Sequence, residues 1–293
     1  MPHAAPSFTD AHVHFHDLRN RALRYEWLTP DAEDPELGDY EAIKSIRYWA
    51  DDFIAETRFH NVAKVIHVQA AIGSTDPVEE TRWIQTFSER LGVPNGIVAG
   101  INLSAPDAEC VLAQHTEYPN VCGVRDLRYD DYLSNPSWLR GYALLEEHGL
   151  VCCDDPAVED FSLARELADR FPAITLCIDH AGYPRQRSAE YFELWRQGLH
   201  LLAGADNTVI KISGLGQCDH NWTVDSIRPW VLGCVEAFGT ERSFFGTNWP
   251  VDRLFSSYGD VIDAYASIIS DFSPAEQRAL FCENAIRIFG LGD

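Results

Sequence analysis

Short apolar runs alternate with longer amphipathic segments along nearly all of the 293 residues. Eight runs are rich in β-branched residues and span residues 8–15, 64–69, 97–103, 121–126, 150–154, 174–180, 208–213 and 243–248. Near-continuous apolar runs of this length are typical of strands that are buried on both faces of a parallel sheet. The pattern therefore predicts eight parallel strands.

Segments with apolar residues at helical spacing separate these runs. Helices are predicted to begin at Pro77, Pro136 and Pro274, and to span 157–171, 189–203, 226–238 and 258–269. Ser273 and Glu276 are spaced as a capping box for the helix at Pro274. Eight strands that alternate with helices predict an α/β protein with one closed (β/α)8 TIM-barrel domain over residues 1–293. An open doubly wound sheet is the alternative, because a strand count alone does not establish closure.

One connection is much longer than the others. About 48 residues separate the first two runs, where a few residues and a helix would suffice. We interpret residues 16–60 as a lid-like insertion over the mouth of the barrel, with the segment 25–28 as its aromatic part.

The acidic composition narrows the class of partner. There are 23 basic and 45 acidic residues, which gives a formal charge of −22. Such a surface repels phosphate backbones and anionic lipids, so we expect neither nucleic acid nor membrane as a partner. An anionic substrate stays possible, because a few arginines can reverse the field inside a pocket.

The compartment and the assembly are inferred from weaker signals. We find no signal-peptide pattern at residues 1–10 and no apolar stretch of membrane-spanning length. The eight cysteines have no disulfide-framework spacing, which favours reduced thiols in the cytoplasm. A homodimer is the default oligomer.

Polar residues stand at the predicted carboxyl ends of the strands, where barrel enzymes place their active sites. His12 and His14 lie two apart on the first strand, so their imidazoles enter the same space. The pair suits two ligands of one metal ion or two donors to one oxyanion. His180 ends the sixth strand, and Arg125 ends the fourth, where its guanidinium can hold a carboxylate.

Other residues have less defined roles. Lys211 on the seventh strand suits either substrate binding or a structural ion pair, and His67 suits an interior network better than substrate contact. Phe15, Trp27 and Trp249 are candidates for an aromatic wall against the ring of a substrate.

Six motifs in order resemble the amidohydrolase-related family of metal-dependent hydrolases with the TIM-barrel fold. They are DAHVHF at 10–15, YEWL at 25–28, GVR at 123–125, DHAG at 179–182, KISG at 211–214 and GTNWPV at 246–251. The family includes fuconolactonase-like sugar lactonases and 2-pyrone-4,6-dicarboxylate lactonase. The resemblance implies hydrolysis of a lactone of a small polar or sugar acid, with His12, His14 and His180 as catalytic or metal-binding residues and Arg125 on the substrate.

Asn248 departs from that pattern, because the family's lactonases usually carry aspartate there. A neutral amide can orient water but cannot act as a general base near neutral pH. A proton acceptor must then be found elsewhere, and Asp154, Asp155, Asp252 and bound hydroxide are the candidates. Two mechanisms stay open: one with a divalent ion, most simply zinc, on the three histidines, and one without metal. A decarboxylase or other lyase and a catalytically silent metabolite-binding barrel are the alternative functions.

Overall fold

Eight parallel strands form the central sheet, as the apolar runs predict. The computed structural model describes residues 7–127 and 131–292. The strands are β1 (Phe8–Val13), β2 (Val62–Val68), β3 (Gly96–Gly100), β4 (Val121–Arg125), β5 (Val151–Asp154), β6 (Leu176–Ile178), β7 (Thr208–Ile212) and β8 (Ser243–Phe245). Each strand pairs with the next in sequence. A parallel bridge between Val13 and Trp249, and a hydrogen bond from the His14 amide to the Trp249 carbonyl at 2.7 Å, join the two ends. The closed barrel is therefore confirmed and the open sheet is excluded.

Helices follow the strands around the outside of the barrel. They are Ala50–Thr57, Glu79–Leu91, Ala108–His115, Pro136–Ala143, Leu145–His148, Phe161–Arg170, Ala189–Ala203, Leu215–Cys218, Val224–Phe238, Tyr258–Ile268, Pro274–Arg278 and Asn284–Ile288. The capping box of Ser273 and Glu276 is confirmed. The helix predicted from residue 226 begins earlier, because Thr223 accepts the Ser226 amide and is the N-cap. Residues 157–160 do not join the helix at Phe161, because Val158–Asp160 form a separate 3-10 turn.

The barrel interior is filled by a layer of small apolar side chains. Val68, Val98, Cys153 and Val209 belong to this inner cluster, which Phe289 and Leu291 of the C-terminal segment complete. Cys152 belongs instead to the larger cluster between strands and helices, as the alternation along β5 requires. All eight cysteines are free thiols.

The insertion between β1 and β2 is a small structure of its own. Its two short strands, His16–Asp17 and Arg47–Tyr48, pair antiparallel, and 3-10 turns lie at Glu26–Leu28 and Glu41–Ile43. Its apolar side chains, Tyr25 and Leu37 among them, pack against Ala70 after β2 and Val251 after β8. The insertion thus lies at the carboxyl ends of the strands. Within the described ranges, no helix has the length and apolarity needed to cross a membrane.

Candidate active site

Backbone strain in this chain is concentrated at the carboxyl ends of two strands. Among the described residues, the non-glycine positions with positive φ are His180 (52°), Ala181 (57°), Tyr183 (47°) and Asn248 (59°). Each such residue costs of order 1–3 kcal/mol, and strain of this kind is typical of functional sites. Two of the four, His180 and Asn248, are predicted catalytic residues.

His12 and His14 face each other at the end of β1. Their Nε2 atoms lie 3.1 Å apart, and both side chains are buried. The Nδ1 atom of His14 donates to the Val68 carbonyl at 2.9 Å, and the Nδ1 atom of His12 lies 3.6 Å from Oδ2 of Asp179. Burial lowers the pKa of both histidines well below the usual value, so both imidazoles are neutral.

The contacts of these two imidazoles need one more proton than the imidazoles carry. Three contacts link the Val68 carbonyl, His14, His12 and Asp179, but two neutral imidazoles carry only two protons. In one contact, two lone pairs must therefore face each other, and His12 Nδ1 and Asp179 Oδ2 are in fact buried without a hydrogen bond. A divalent ion between the two Nε2 atoms would remove this conflict. Each Nδ1–H would then point at a carbonyl or a carboxylate, as is usual for metal-binding histidines.

His180 adds a third imidazole from the end of β6. Its ring lies 4.5 Å from that of His12, centroid to centroid, and its Nδ1 atom is 3.0 Å from the hydroxyl of Ser213. Nε2 is therefore the ring atom left for the cavity. Burial lowers the pKa of His180 to about 3. Nδ1 or Nε2 of His12 and His180 and a carboxylate oxygen of Asp179 lie within 4.8 Å of one another. The donor set of this corner therefore fits a divalent ion such as zinc.

Asp179 connects the histidines to two cations. Its Oδ1 atom lies 2.8 Å from Nζ of Lys211, and its Oδ2 atom lies 3.7 Å from Nη1 of Arg125. Burial alone would lower the pKa of Lys211, but the Asp179 carboxylate outweighs it and holds that pKa above its usual value. Lys211 is therefore charged and serves a buried ion pair, which was one of its two predicted roles.

Arg125 lies between this ion pair and the open cavity. Its Nη2 atom donates to the backbone carbonyl and to Oε1 of Gln69, at 3.1 and 3.0 Å. Its Nε atom is buried, and no residue within the described ranges accepts a hydrogen bond from it. Arg125 also lines the cavity, so the site suits a ligand that supplies an oxygen to its guanidinium.

The side-chain amide of Asn248 is hydrogen-bonded to Asp252, four residues further along the chain. Its Nδ2 atom donates to Oδ2 of Asp252 at 2.7 Å, and Oδ1 of Asp252 accepts the Gly216 amide at 3.1 Å. Burial raises the pKa of Asp252 to about 7. Asn248 lines the cavity and Asp252 does not.

The cavity of about 160 Å³ lies between these residues and the insertion. His14, Arg125, Asp155, His180 and Asn248 line the barrel side. Trp27, Asp34, Glu36 and Leu37 of the insertion line the other side, together with Tyr183 and Arg185 from the loop after β6. The indole of Trp27 donates to the Ala70 carbonyl at 2.8 Å.

The structure does not bring three of the predicted binding residues to this cavity. Phe15 and Trp249 are fully buried, because each follows a cavity-facing residue and alternation turns it outward. Phe15 packs on Phe53, and Trp249 donates to Glu56 at 3.0 Å. Lys211 lies one layer below the cavity. These residues support the site from behind and do not line the cavity.

Several cavity residues had no clear sequence signal. Asp179 is the centre of the charge network, and only its position beside His180 pointed to it. Glu36 and Arg185 come from irregular loops. No periodicity predicts which loop residues meet, so these were missed.

Comparison with known proteins places the chain in a family. The sequence profile of the amidohydrolase family matches residues 9–291. An uncharacterised protein of Sinorhizobium fredii is 34% identical, over 96% of this chain and 97% of its own. The L-fucono-1,5-lactonase of Burkholderia ambifaria is 25% identical, over 96% of this chain and 92% of its own.

Solved structures show the same fold. A zinc-bound amidohydrolase of Burkholderia multivorans has a TM-score of 0.83 at 24% identity, over 98% of this chain and 100% of its own. A protein of Pseudomonas putida that is named a putative 2-pyrone-4,6-dicarboxylic acid hydrolase has a TM-score of 0.75 at 19% identity, over 98% of each chain. The chain belongs to the amidohydrolase family of hydrolases.

Proposed function

We propose that this protein hydrolyses a lactone, or a related cyclic ester, of a small polar organic or sugar acid. The observation that carries the proposal is the convergence of His14, His180 and Arg125 at the cavity, with the buried imidazole of His12 packed against both histidine rings. The similarity to L-fucono-1,5-lactonases, 25% and 28% identical, supports the ester-opening class.

His12, His14 and His180 would hold a divalent ion, and the Asp179 carboxylate would orient the imidazole of His12. His12 and His14 would bind through Nε2 and His180 would be the third ligand. The Nδ1 atoms of His14 and His180 would keep their partners, and Nδ1 of His12 would face the Asp179 carboxylate at 3.6 Å. A bound ion would polarise the lactone carbonyl. Lys211 and Arg125 hold the Asp179 carboxylate in place from the other side.

Arg125 would bind an oxygen of the substrate, either a carboxylate or a hydroxyl. Arg125 lines the cavity, so its guanidinium is placed to donate to this oxygen. Asn248 would orient the attacking water through Oδ1, since its Nδ2 atom is held by Asp252.

Asp155 is the best placed of the three candidate proton acceptors. Asp154 is held by the Tyr132 hydroxyl at 2.7 Å, and Asp252 lies behind Asn248. Asp155 lines the cavity, and its own backbone amide is a donor to its carboxylate. Burial raises its pKa to about 6, which suits a group that takes a proton near neutral pH.

A panel of aldonolactones and carboxylated lactones tests the function, with His12→Gln against the surface variant His200→Gln. We expect ring opening by the wild type, a loss of about 10²–10³-fold in kcat for His12→Gln, and no loss for His200→Gln. Carbon dioxide release from aryl acids without lactone opening would support the lyase instead. Thermal stabilisation by a metabolite without any turnover would support the silent binding protein.

Metal analysis of protein purified without chelator tests the ion separately. We expect about one equivalent in the wild type and its loss in His12→Gln. Sub-stoichiometric metal together with activity that survives chelation would contradict the metal site and favour direct polarisation of the carbonyl by the histidines.

A further inference from the structure

One glutamate of the insertion, Glu36, is hydrogen-bonded to two loops of the barrel at the edge of the cavity. Oε1 of Glu36 accepts a hydrogen bond from Nε of Arg185 at 2.7 Å, and the Glu36 backbone carbonyl accepts one from Nε2 of His220 at 2.7 Å. Burial and a further hydrogen bond to Glu36 raise the pKa of Tyr183. Both Glu36 and Arg185 line the cavity, so their ion pair forms part of its wall.

Arg185 has more donors than its surroundings use. Of the described residues, only Glu36 accepts a hydrogen bond from its guanidinium. The group lies 4.1 Å over the ring of Tyr183, which fixes its plane. That ring is in turn placed by the run of positive φ angles that carries His180, so the loop orients an arginine and a catalytic histidine together.

The charge of Arg185 is felt at the reacting end of the cavity. Burial is the main cause of the raised pKa of Asp155, and the charges of Arg125 and Arg185 act against it. Arg185 also contributes to the lowered pKa of His180, again after burial. Two guanidinium groups therefore face one small cavity, together with the carboxylates of Asp34, Glu36 and Asp155.

Glu36 can leave this contact. Its side chain is 42% exposed and lies in a segment of the insertion without regular structure. The carboxylate of Glu36 already occupies the position in which Arg185 would hold a carboxylate from a ligand, and planar guanidinium groups bind carboxylates bidentately.

We propose that Arg185 is a specificity-determining residue that exchanges Glu36 for a carboxylate of the substrate, so that the lactone carries a free carboxylate. This rests on the proposed lactonase function and narrows its substrate class. Neutral sugar lactones would then be poor substrates, because they cannot replace Glu36 and make no ion pair with Arg185.

The kinetic test uses pairs of lactones with the same ring, one neutral and one with a carboxylate in place of a hydroxymethyl group. We expect kcat/KM to be about 10- to 100-fold higher for the acidic member, and Arg185→Gln to remove that preference while Arg187→Gln preserves it. Arg187 is the matched control, because its guanidinium lies over Trp230 and it does not line the cavity. Equal kcat/KM for both members, or a preference that survives Arg185→Gln, would overturn the proposal.

Glu36→Gln separates substrate recognition from simple closure. If the substrate competes with Glu36, this variant should lower KM several-fold for the acidic lactone alone. If Glu36 merely fastens the insertion, KM should rise for both lactones, which counts against the exchange.

A binding test remains decisive even if no lactone is opened. Furan-2,5-dicarboxylate and furan-2-carboxylate are unreactive ring probes that differ by one carboxylate. Calorimetry on the wild type should show at least ten-fold tighter binding of the dicarboxylate, and Arg185→Gln should equalise the two. Equal affinities in the wild type would refute the role of Arg185 without bearing on hydrolysis, whereas inactivity on every lactone would refute only the proposed function.

Discussion

The two sides of the cavity are built in different ways. The barrel side presents His14, and the buried residues His12 and Asp179 lie behind it, joined to His14 or to Lys211. The side formed by the insertion presents Glu36, and Arg185 faces it from a loop, with side chains 42% and 35% exposed. Groups that must stabilise charge in a reaction gain from a fixed, dry setting, whereas groups that select a substrate can be exchanged with solvent. The difference indicates a fixed reaction centre beneath an adjustable recognition wall.

The largest expected effect is on the barrel side, at the buried ion pair. Lys211→Met leaves the Asp179 carboxylate in the interior with only Arg125 at 3.7 Å as a cation. Breaking a buried pair by removing one partner typically costs about 3–5 kcal/mol. We expect a loss of this size in the free energy of unfolding, measured by urea denaturation.

Two further variants make this prediction sharp. The double variant Lys211→Met with Asp179→Asn should recover part of the loss, because no uncompensated charge remains. Arg90→Gln breaks the exposed pair between Arg90 and Asp51 and should change stability far less. Equal effects of Lys211→Met and Arg90→Gln would mean that the barrel side is no more fixed than the surface.

The second effect concerns the position of His180. Gly214 has a φ of +62°, and a Cβ atom there would lie 2.5 Å from Nδ1 of His180. Gly214→Ala should push the imidazole aside and reduce kcat by about 10²-fold, since displacements of about 1 Å in a site can cost that much.

Gly149→Ala is the matched control. Gly149 also has a φ of +62°, but a Cβ atom there meets nothing within 4 Å. Both variants carry the same backbone cost, so any further loss of stability in Gly214→Ala measures the clash with His180. Similar losses of activity would show that the position of His180 is not critical.

This contrast also explains what the sequence predicted and what it did not. Strand ends, the histidine pair and Arg125 follow from periodicity and from barrel geometry. Alternation should have turned Phe15 and Trp249 outward, but their aromatic character suggested the cavity instead. Alternation does not give depth along the barrel axis, so Lys211 could not be placed below the cavity. The meeting of Glu36 with Arg185 joins two irregular loops 149 positions apart, which no local pattern encodes.

A third, smaller effect is the pH dependence that Asp252 imposes on stability. Its pKa is raised from 3.8 to about 7, so between these values the folded chain holds a proton that the unfolded chain has released. Stability should therefore fall as the pH rises through this window, by at most about 1.4 kcal/mol per pH unit for one group. Asp252→Asn should flatten this slope in denaturation series from pH 4 to pH 8.

Part of the dependence of stability on pH should remain in Asp252→Asn. Burial also raises the pKa of Asp10 to about 6, with the same sign. The exposed variant Asp263→Asn serves as the control. An unchanged slope in Asp252→Asn would show that the carboxylate beside Asn248 is not held protonated by its surroundings.

The smallest effect is expected on the wall formed by the insertion. Trp27→Phe keeps an aromatic ring at the cavity but removes the hydrogen bond from the indole to the Ala70 carbonyl. A single neutral hydrogen bond contributes about 0.5–1.5 kcal/mol, and here the freed carbonyl can be reached by water. We therefore expect a loss of stability at the lower end of that range and a KM raised a few-fold with kcat unchanged. A fall in kcat comparable to that of Gly214→Ala would instead make this wall part of the reaction centre, and the division between a fixed and an adjustable side would fail.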